Sequence, residues 1–468
     1  MIKNNILSPG PGLTTSKIDR FLASPGYVML IALLAAISNM FGLELIVFSI
    51  FALLVAFVCI KGEDLLPLIP LFICAGMSIS AKNNPGKNPD SVFTMDRGGI
   101  LLICVGVVIV GSIIYRIIRD RKNYRKQKYS LLSGMLILTV AYMIGGIGSN
   151  GYENHWHKSA FFGLLNGIAI TVPYVLFSGG VNWSKTRKDY LAWVGFAAGC
   201  LLLCEVAWIY ISGDVLIDGM INRRAIYTGW GMYNNMGSIL VMTLPFPFYL
   251  GVKYRKPMLG VLVGGLFMVG TAFTCSRNSI LCGAFIFLLC LILTIRYVKS
   301  HLFTFSLLVM FVGGLLLVLA LFGQQLLNLF SSLLSKGLDP NTRDDIYKDG
   351  LTLFSEYPVL GGSFFNQEYV PWGWATNEAF TGFIPPRWHN TIIQLLASCG
   401  IVGLAAYVVH RIQTINIFVK DRTPETRFTT CSLLALLISS LLDCHFFNIG
   451  PVLFYSIALA FMENSPTD

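Results

Sequence analysis

The chain has 468 residues, of which 55% are hydrophobic and only 12% are charged. Typical soluble domains have about a quarter of their residues charged, so this composition excludes an ordinary soluble protein and indicates a polytopic membrane protein. The formal net charge of +10 comes from lysines and arginines in short loops between apolar runs. That pattern is a signal of membrane topology and does not indicate nucleic-acid binding.

Fourteen segments are apolar enough to cross a membrane, for which a helix needs about 20 mostly apolar residues. In chain order they are 25–41, 43–60, 64–80, 98–118, 130–148, 159–178, 190–212, 235–252, 257–275, 278–298, 302–323, 389–409, 428–443 and 446–462. The first pair and the last pair are short hairpins. We therefore expect an all-α polytopic membrane protein of about 12–14 transmembrane helices, with one large external (periplasmic-side) loop subdomain.

Basic residues collect in every second loop. After the fourth segment come Arg116, Arg119, Arg121, Lys122, Arg125, Lys126 and Lys128, and the later basic loops carry Lys185, Arg187, Lys188, Lys253, Arg255, Lys256, Arg296, Lys299, His410, Arg411, Lys420, Arg422 and Arg427. The positive-inside rule makes these loops and both termini cytoplasmic. The loops at 81–97, 149–158, 213–234 and 324–388 are then external.

The order of segments suggests four parts. They are the N-terminal transmembrane helices at 1–189, core transmembrane helices with an external arginine loop at 190–323, the large external loop at 324–388, and the C-terminal transmembrane helices at 389–468. We expect the large loop to be ordered, because it is too rich in aromatic and aliphatic residues to be disordered.

The large loop contains two predicted helices. The first spans 324–336 and has an apolar stripe typical of a helix in the membrane interface. The second is capped by Asn341 or Thr342 and stops at Tyr357-Pro358. Its residues at helical spacing are Ile346, Gly350, Leu351 and Phe354. A turn at Gly361-Gly362 follows, and the next span begins near Trp388-His389-Asn390.

Five arginines fall in the predicted external loops or at their edges, where bases are less expected: Arg223, Arg224, Arg277, Arg343 and Arg387. A guanidinium offers a planar fork of donors suited to phosphate oxygens, so several together could hold a diphosphate near the bilayer surface. Each one alone could instead contact a lipid headgroup or pair with an aspartate of the same loops. The sequence leaves both readings open.

Other ionisable residues lie within reach of the same face. His389 could act as a general base, because a neutral imidazole accepts protons near neutral pH. Glu205 and Asp443 are costly placements in a membrane and could pair with the external arginines. No metal-ligand motif or phosphate-binding glycine loop is present, so we expect no metal and no cofactor.

One set of motifs resembles a known family. Arg343, then FSEYPVLGGSFF at 354–365, then His389-Asn390 leading into TIIQLLASCGIVGLAAY, is similar to the conserved region of the O-antigen ligase and polymerase superfamily. Ser276-Arg277 and an arginine before Asn234-Asn235 also match that pattern. The resemblance covers roughly 190–462. The glycines depart from it, since Gly361-Gly362 stands where Gly-x-Gly is commoner.

The resemblance implies a metal-independent inverting glycosyltransferase of the GT-C type in the cytoplasmic membrane. Its donor would be an undecaprenyl-diphosphate-linked glycan used on the external face, and its acceptor another glycan or a lipid. By position, His389 would be the catalytic base or acceptor-orienting group. Arg343, Arg277 and one of Arg223 or Arg224 would bind the donor diphosphate.

We also consider Asn390, Arg387 and Glu205 as possible supporting residues. Expected partners are membrane lipids and other polysaccharide-assembly proteins of the cell envelope. The alternative is a lipid-linked glycan flippase or polysaccharide transporter. Transporters tend to show paired repeats, whereas here the polar residues gather in one asymmetric loop.

Overall fold

The computed structural model describes residues 17–80, 82, 99–212, 215–217, 220–229, 231–310, 313, 343–366, 387–420 and 423–464. Within them the chain is almost entirely helical. The first nine helices are α1 (Lys17–Leu22), α2 (Pro25–Phe41), α3 (Glu44–Lys61), α4 (Leu68–Ala75), α5 (Gly99–Arg119), α6 (Arg121–Lys126), α7 (Leu132–Ile144), α8 (Asn150–Gly180) and α9 (Tyr190–Ile211).

A short polar excursion follows α9. It forms two antiparallel two-residue ribbons, in which β1 (Leu216–Ile217) pairs with β2 (Met220–Ile221) and β3 (Tyr227–Thr228) pairs with β4 (Gly231–Met232). The remaining helices are α10 (Tyr233–Thr243), α11 (Pro245–Lys253), α12 (Pro257–Phe273), α13 (Arg277–Val298), α14 (His301–Met310), α15 (Arg343–Glu356), α16 (Thr391–Lys420), α17 (Pro424–Leu442) and α18 (Ile449–Asn464).

The apolar helices confirm an all-α polytopic membrane protein. Among the described residues, eight helical segments are long and apolar enough to cross a membrane, and six shorter apolar helices have 10–17 residues. Each of the fourteen predicted segments overlaps one of them. Part of the predicted 302–323 segment lies outside the described residues. Many apolar side chains are exposed on these helices, for example on α5, and would face lipid.

Two predicted boundaries were wrong. Residues 150–158, predicted as loop, form the start of α8, where the Ser149 hydroxyl accepts from the backbone N–H of Tyr152 at 3.2 Å. His410 and Arg411, predicted as loop residues, lie inside α16. Their polarity suggested a helix end, but His410 is fully buried and binds Tyr455 of α18.

Several segments predicted to lie on the cytoplasmic side contact one another at one end of the bundle. Next to Lys128, Ser130 N–H donates to Glu463 at 2.8 Å, near the end of α18. Arg187 Nη2 donates to Tyr254 OH at 2.9 Å, beside the loop between α11 and α12. We call this the basic end and the opposite one the site end.

Helix α16 is broken at Gly400, whose φ is +62°. The chain from Pro358 to Ser363 lies in the break and takes up the backbone groups that the break frees. Gly362 N–H donates to Ala397 O at 2.7 Å, and Ile401 N–H donates to Pro358 O at 2.9 Å. Backbone groups inside a membrane protein need such partners, so the two segments stabilise each other.

Glycine is required on both sides of this contact. A Cβ on Gly361, at φ +73°, would lie 2.5 Å from the backbone nitrogen of Cys399, and one on Gly400 would lie 2.4 Å from Val359 O. The predicted turn at Gly361-Gly362 is therefore a packed segment. Its neighbours Phe364 and Phe365 are buried in the bundle core.

Helix α15 confirms the second helix predicted in the large loop, including its end at Glu356 before Tyr357-Pro358. The predicted stripe was partly wrong. Leu353 is fully buried, whereas Leu351 is exposed. With Ile346 and Trp388, Leu353 forms a small apolar cluster that packs α15 on the start of α16. The predicted helix at 324–336 and the caps Asn341 and Thr342 lie outside the described residues.

Candidate active site

His389 stands at the start of α16 and is joined to the loop between α17 and α18. Its Nδ1 lies 3.1 Å from Asp443 Oδ1. Asp443 Oδ2 accepts a hydrogen bond from Asn234 Nδ2 at 3.1 Å. Both carboxylate oxygens of Asp443 are thus used, one by the imidazole and one by the first turn of α10. We call residues 443–448 the last loop.

The pair has a defined protonation geometry. A carboxylate only accepts, so the hydrogen bond places a proton on Nδ1 of His389. Burial alone would raise the pKa of Asp443, but the hydrogen bond with His389 and the field of His445 outweigh it and hold that pKa well below its ordinary value. The backbone N–H of Cys444 also donates to Asp443 Oδ1, at 2.7 Å.

The imidazole is more accessible than the carboxylate that orients it. The His389 side chain is 28% exposed and that of Asp443 is 12% exposed. His389 has a left-handed backbone with φ +50°, and its carbonyl accepts from Tyr347 OH of α15 at 3.2 Å. Such a backbone is sparsely populated for a residue with a side chain and is concentrated at functional sites.

Three of the predicted residues hold the backbone around Asp443. Arg343 Nη1 donates to Leu442 O at 2.9 Å, and Asn390 Nδ2 donates to Leu441 O at 2.8 Å. Arg387 donates to two carbonyls of the last loop, to Cys444 O at 3.4 Å and to Phe447 O at 3.2 Å. The structure therefore brings Arg343, Arg387, Asn390 and His389 together around the end of α17 and the last loop.

Arg277 and Arg223 lie at the same end of the bundle. Arg277 is the exposed first residue of α13 and makes no hydrogen bond or ion pair within the described part of the chain. The Arg223 guanidinium lies 5.5 Å from the ring centre of Tyr233, the residue before Asn234. The Arg224 backbone shares the short 3-10 turn of Arg223, and its side chain is not among the described ones.

Four helices begin around the Asp443 pair. Asn234 places the start of α10 beside Asp443, and Asn278 Nδ2 of α13 donates to Ser439 O at 3.1 Å. Helices α15 and α16 begin at Arg343 and just after Asn390, whose contacts with α17 are given above. Asn390 Oδ1 and Ser276 Oγ already cap N–H groups at the starts of α16 and α13. Each helix start still carries roughly half a positive charge, so this end of the bundle favours a bound anion.

Glu205 is not part of this cluster. It lies inside α9, fully buried, and neither of its carboxylate oxygens has a hydrogen-bond partner among the described residues. Within those same residues, no group of three or more His, Cys, Asp or Glu side chains is placed to hold a metal ion.

Sequence reasoning left the role of Asp443 open and considered only arginine as its partner. The structure instead pairs it with His389 and Asn234. The adjacent His445 is also buried, and its Nδ1 donates to Asn235 Oδ1 at 3.1 Å. Burial lowers the pKa of His445, which the nearby Asp443 carboxylate only partly offsets. The sequence did contain one signal for this part of the site: Asp443 and His445 stand between two apolar helices, where charge is costly.

Residues 259–408 match a protein-family model described as O-antigen ligase. The match covers about a third of the chain and supports a relationship to the O-antigen ligase and polymerase superfamily. A search of curated proteins found no match.

The matched O-antigen ligase segment runs from α12 into α16. It contains Arg277, Arg343, Arg387, His389 and Asn390. Asp443 and the asparagines of α10 lie outside the match and join the site only through the fold. The superfamily as a whole implies a glycosyl-transferring membrane enzyme of polysaccharide biosynthesis.

Proposed function

We propose that this chain transfers or polymerises glycan from an undecaprenyl-diphosphate-linked donor on the external face of the cytoplasmic membrane. The observation that carries the proposal is the His389–Asp443 pair, set among arginines and four helix starts. An O-antigen ligase or polymerase needs both a base for the acceptor hydroxyl and positive charge for the departing diphosphate. This end of the bundle has residues for both.

His389 would act as the general base. Its Nε2 lone pair accepts the proton of the acceptor hydroxyl as that oxygen attacks the anomeric carbon of the donor. The imidazolium that results faces the Asp443 carboxylate at 3.1 Å, which stabilises the new charge and keeps the ring in one tautomer. Asn234 and Cys444 N–H hold that carboxylate in place.

The diphosphate would leave toward the arginines. Arg277 makes no hydrogen bond among the described residues, so its donors are available to a ligand. Arg343 uses one donor, Nη1, to bind Leu442 O. Arg223 and Arg224 lie on the turn before α10. Fixed cations and helix starts meet the growing charge without reorganisation, the task that a metal ion performs in other transferases. Arg387 and Asn390 would instead support the last loop.

The proposed reaction is a single displacement. The bond from the acceptor oxygen to the anomeric carbon forms as the bond from that carbon to the diphosphate oxygen breaks. The acceptor proton goes to His389 and then to water. Attack opposite the leaving group would invert the anomeric configuration. The acceptor would be another glycan or a lipid, and the product remains part of the cell-envelope polysaccharide.

The distribution of lysines and arginines supports the proposed membrane side. Basic loops gather at the end opposite His389, so the positive-inside rule supports an external site and cytoplasmic termini. A donor whose diphosphate is attached to a membrane lipid would present that diphosphate near the membrane surface, at the level of His389. Other polysaccharide-assembly proteins would supply the donor and receive the product.

A complementation experiment tests the proposal. A strain lacking the endogenous gene receives wild type, His389→Ala or Arg343→Ala, with membrane insertion checked by a tag. His157→Ala and Arg296→Ala, at exposed positions outside the site, are matched controls. The proposal predicts that both site variants lose long glycan while lipid-linked units accumulate. Normal polymer in both would overturn the proposal and favour a flippase or transporter.

A further inference from the structure

Arg411 lies within α16 in a cage of three aromatic rings. Its guanidinium carbon is 4.3 Å from the ring centre of Phe446, 4.4 Å from that of Tyr407 and 5.1 Å from that of Tyr455. Arg411 Nη1 also donates to Tyr455 OH at 2.6 Å. We call these four residues the Arg411 cage.

The cage has no acidic partner among the described residues. Arg411 forms no ion pair there, and its Nε and Nη2 are buried without hydrogen-bond partners in that part of the chain. An arginine inside a membrane segment is costly, so its placement calls for a physical reason. Each ring face offsets part of that cost through a cation–π interaction.

A lipid headgroup does not explain the placement. An arginine near a helix end usually extends its side chain into the interface. Here Nη1 is bound to Tyr455 in the middle of α18, and the guanidinium faces Phe446 of the last loop. His410 Nε2 lies 3.0 Å from the same Tyr455 hydroxyl and strengthens the joint between α16 and α18.

The rings come from three parts of the chain. Tyr407 lies on α16, Tyr455 on α18, and Phe446 in the last loop, three residues beyond Asp443. Phe446 is fully buried, and its ring centre lies 5.5 Å from those of both tyrosines. The Arg411 cage therefore fixes the last loop to the part of α16 beyond the break at Gly400.

The first part of α16 and the two residues before it hold the same loop from the other side. His389 and Asn390 bind Asp443 and Leu441, and Gln394 Oε1 accepts from the Cys444 thiol at 3.4 Å. Both halves of α16 thus bind the loop that carries Asp443. A shift of one half against the other would change the distance between Asp443 and His389.

We propose that Arg411 is a positioning residue: by holding Phe446, it sets the last loop where Asp443 meets His389. Its effect on glycan transfer rests on the proposed function. Its effect on the loop does not, and the two are measured separately.

The first test compares kinetic constants of purified protein with a lipid-linked glycan donor. Arg411→Met and Phe446→Leu each remove one side of the contact and should lower kcat by about 10–100-fold, since misplacement by about 1 Å costs that much. KM for the donor should stay near that of wild type. Phe446→Tyr keeps a ring and should restore kcat to within a few-fold of wild type. Ile412→Ala, exposed and adjacent, is the matched control.

The second test needs no activity. Cys444 is 1% exposed, and burial raises the pKa of its thiol to about 12, so it should react slowly with N-ethylmaleimide. In Arg411→Met or Phe446→Leu, released loop residues should let Cys444 label at least about 10-fold faster, as followed by site-resolved mass spectrometry. Wild type, Phe446→Tyr and Ile412→Ala should keep Cys444 protected.

The outcomes separate the two proposals. If wild type transfers no glycan, the proposed function fails, and the labelling of Cys444 still decides the role of Arg411. If both cage variants insert and keep Cys444 protected, Arg411 does not hold the loop and the inference is overturned. Loss of kcat with Cys444 still protected also overturns it, because Arg411 would then act by another route. If Arg411→Met does not fold, Phe446→Leu, which changes no charge, gives the same decision.

Discussion

His389 and Asp443 are 54 residues apart in the chain, yet His389 Nδ1 lies 3.1 Å from Asp443 Oδ1. One side chain stands before α16 and the other follows α17, so the contact exists only when these two helices are packed side by side. The more exposed imidazole faces the site, and the more buried carboxylate orients it. This relationship is the basis of the predictions that follow.

Replacing Asp443 with asparagine should slow the chemical step. An amide in place of the carboxylate removes the charge that stabilises the imidazolium and no longer fixes the tautomer of His389. We expect kcat to fall by about 10²–10⁴-fold, the usual contribution of general base catalysis to the rate. KM for the donor should change little. Steady-state kinetics with purified Asp443→Asn test this. A kcat within threefold of wild type would remove Asp443 from the mechanism.

The same substitution should reveal a pH-dependent contribution to stability. The pKa of Asp443 is lowered in the folded protein from an ordinary value of 3.8, so its stabilising effect is complete above that value and is lost as pH falls toward the lower, folded-state pKa. The Tm of wild type should exceed that of Asp443→Asn at pH 7, by an amount equivalent to about 1–3 kcal/mol. That difference should shrink below about pH 4. A constant difference across the pH range would contradict the lowered pKa.

Arg277 and Arg343 should differ in their kinetic effects. Arg277 is free among the described residues, so Arg277→Ala should chiefly raise KM for the lipid-linked donor, by about 10–100-fold for one lost charge-assisted contact. Arg343 also holds Leu442 O next to Asp443, so Arg343→Ala should in addition lower kcat. Arg296→Ala, at the exposed far end of α13, serves as the control. Equal donor KM in Arg277→Ala and wild type would place the diphosphate elsewhere.

The contact at the break in α16 should tolerate no side chain. Gly361→Ala forces a Cβ to within 2.5 Å of backbone atoms at a positive φ. The φ alone costs about 1–2 kcal/mol, and the clash adds to it. We expect a large loss of folded protein, measured as the monodisperse fraction in detergent and as Tm. Gly265→Ala in α12, where a Cβ meets nothing within 4 Å, should be neutral or slightly stabilising. Similar behaviour of the two variants would show that the break is not a packed joint.

The sequence predicted most of the helices because hydropathy and helix ends are local signals. Helix α15 followed from its acidic first turn and from Pro358. The break at Gly400 was not predicted, because the run from Thr391 to Tyr407 is almost uniformly apolar and one glycine does not interrupt a helix by itself. The partner that makes the break possible, Pro358–Ser363, lies about 40 residues upstream.

The site was predicted in part for the same reason. The family pattern carries His389 and the arginines, and the positive-inside rule singled out the same bases. Asp443 was noticed only as a costly charge, since no local pattern shows which of several polar groups it meets. Arg411 was taken for a loop residue because its polarity suggested the end of a span. Two of the three rings that hold it, Phe446 and Tyr455, come from distant segments of the chain.

The most direct measurement of the central claim is glycan transfer by purified His389→Ala, reconstituted with an undecaprenyl-diphosphate-linked donor and an acceptor glycan. We expect kcat to fall by about 10²–10⁴-fold while KM for the donor stays within a few-fold of wild type, because the base acts in the transition state and the arginines still hold the diphosphate. His157→Ala should match wild type. A fully active His389→Ala enzyme would contradict the assignment of His389 as the base and, with it, the mechanism proposed for this site.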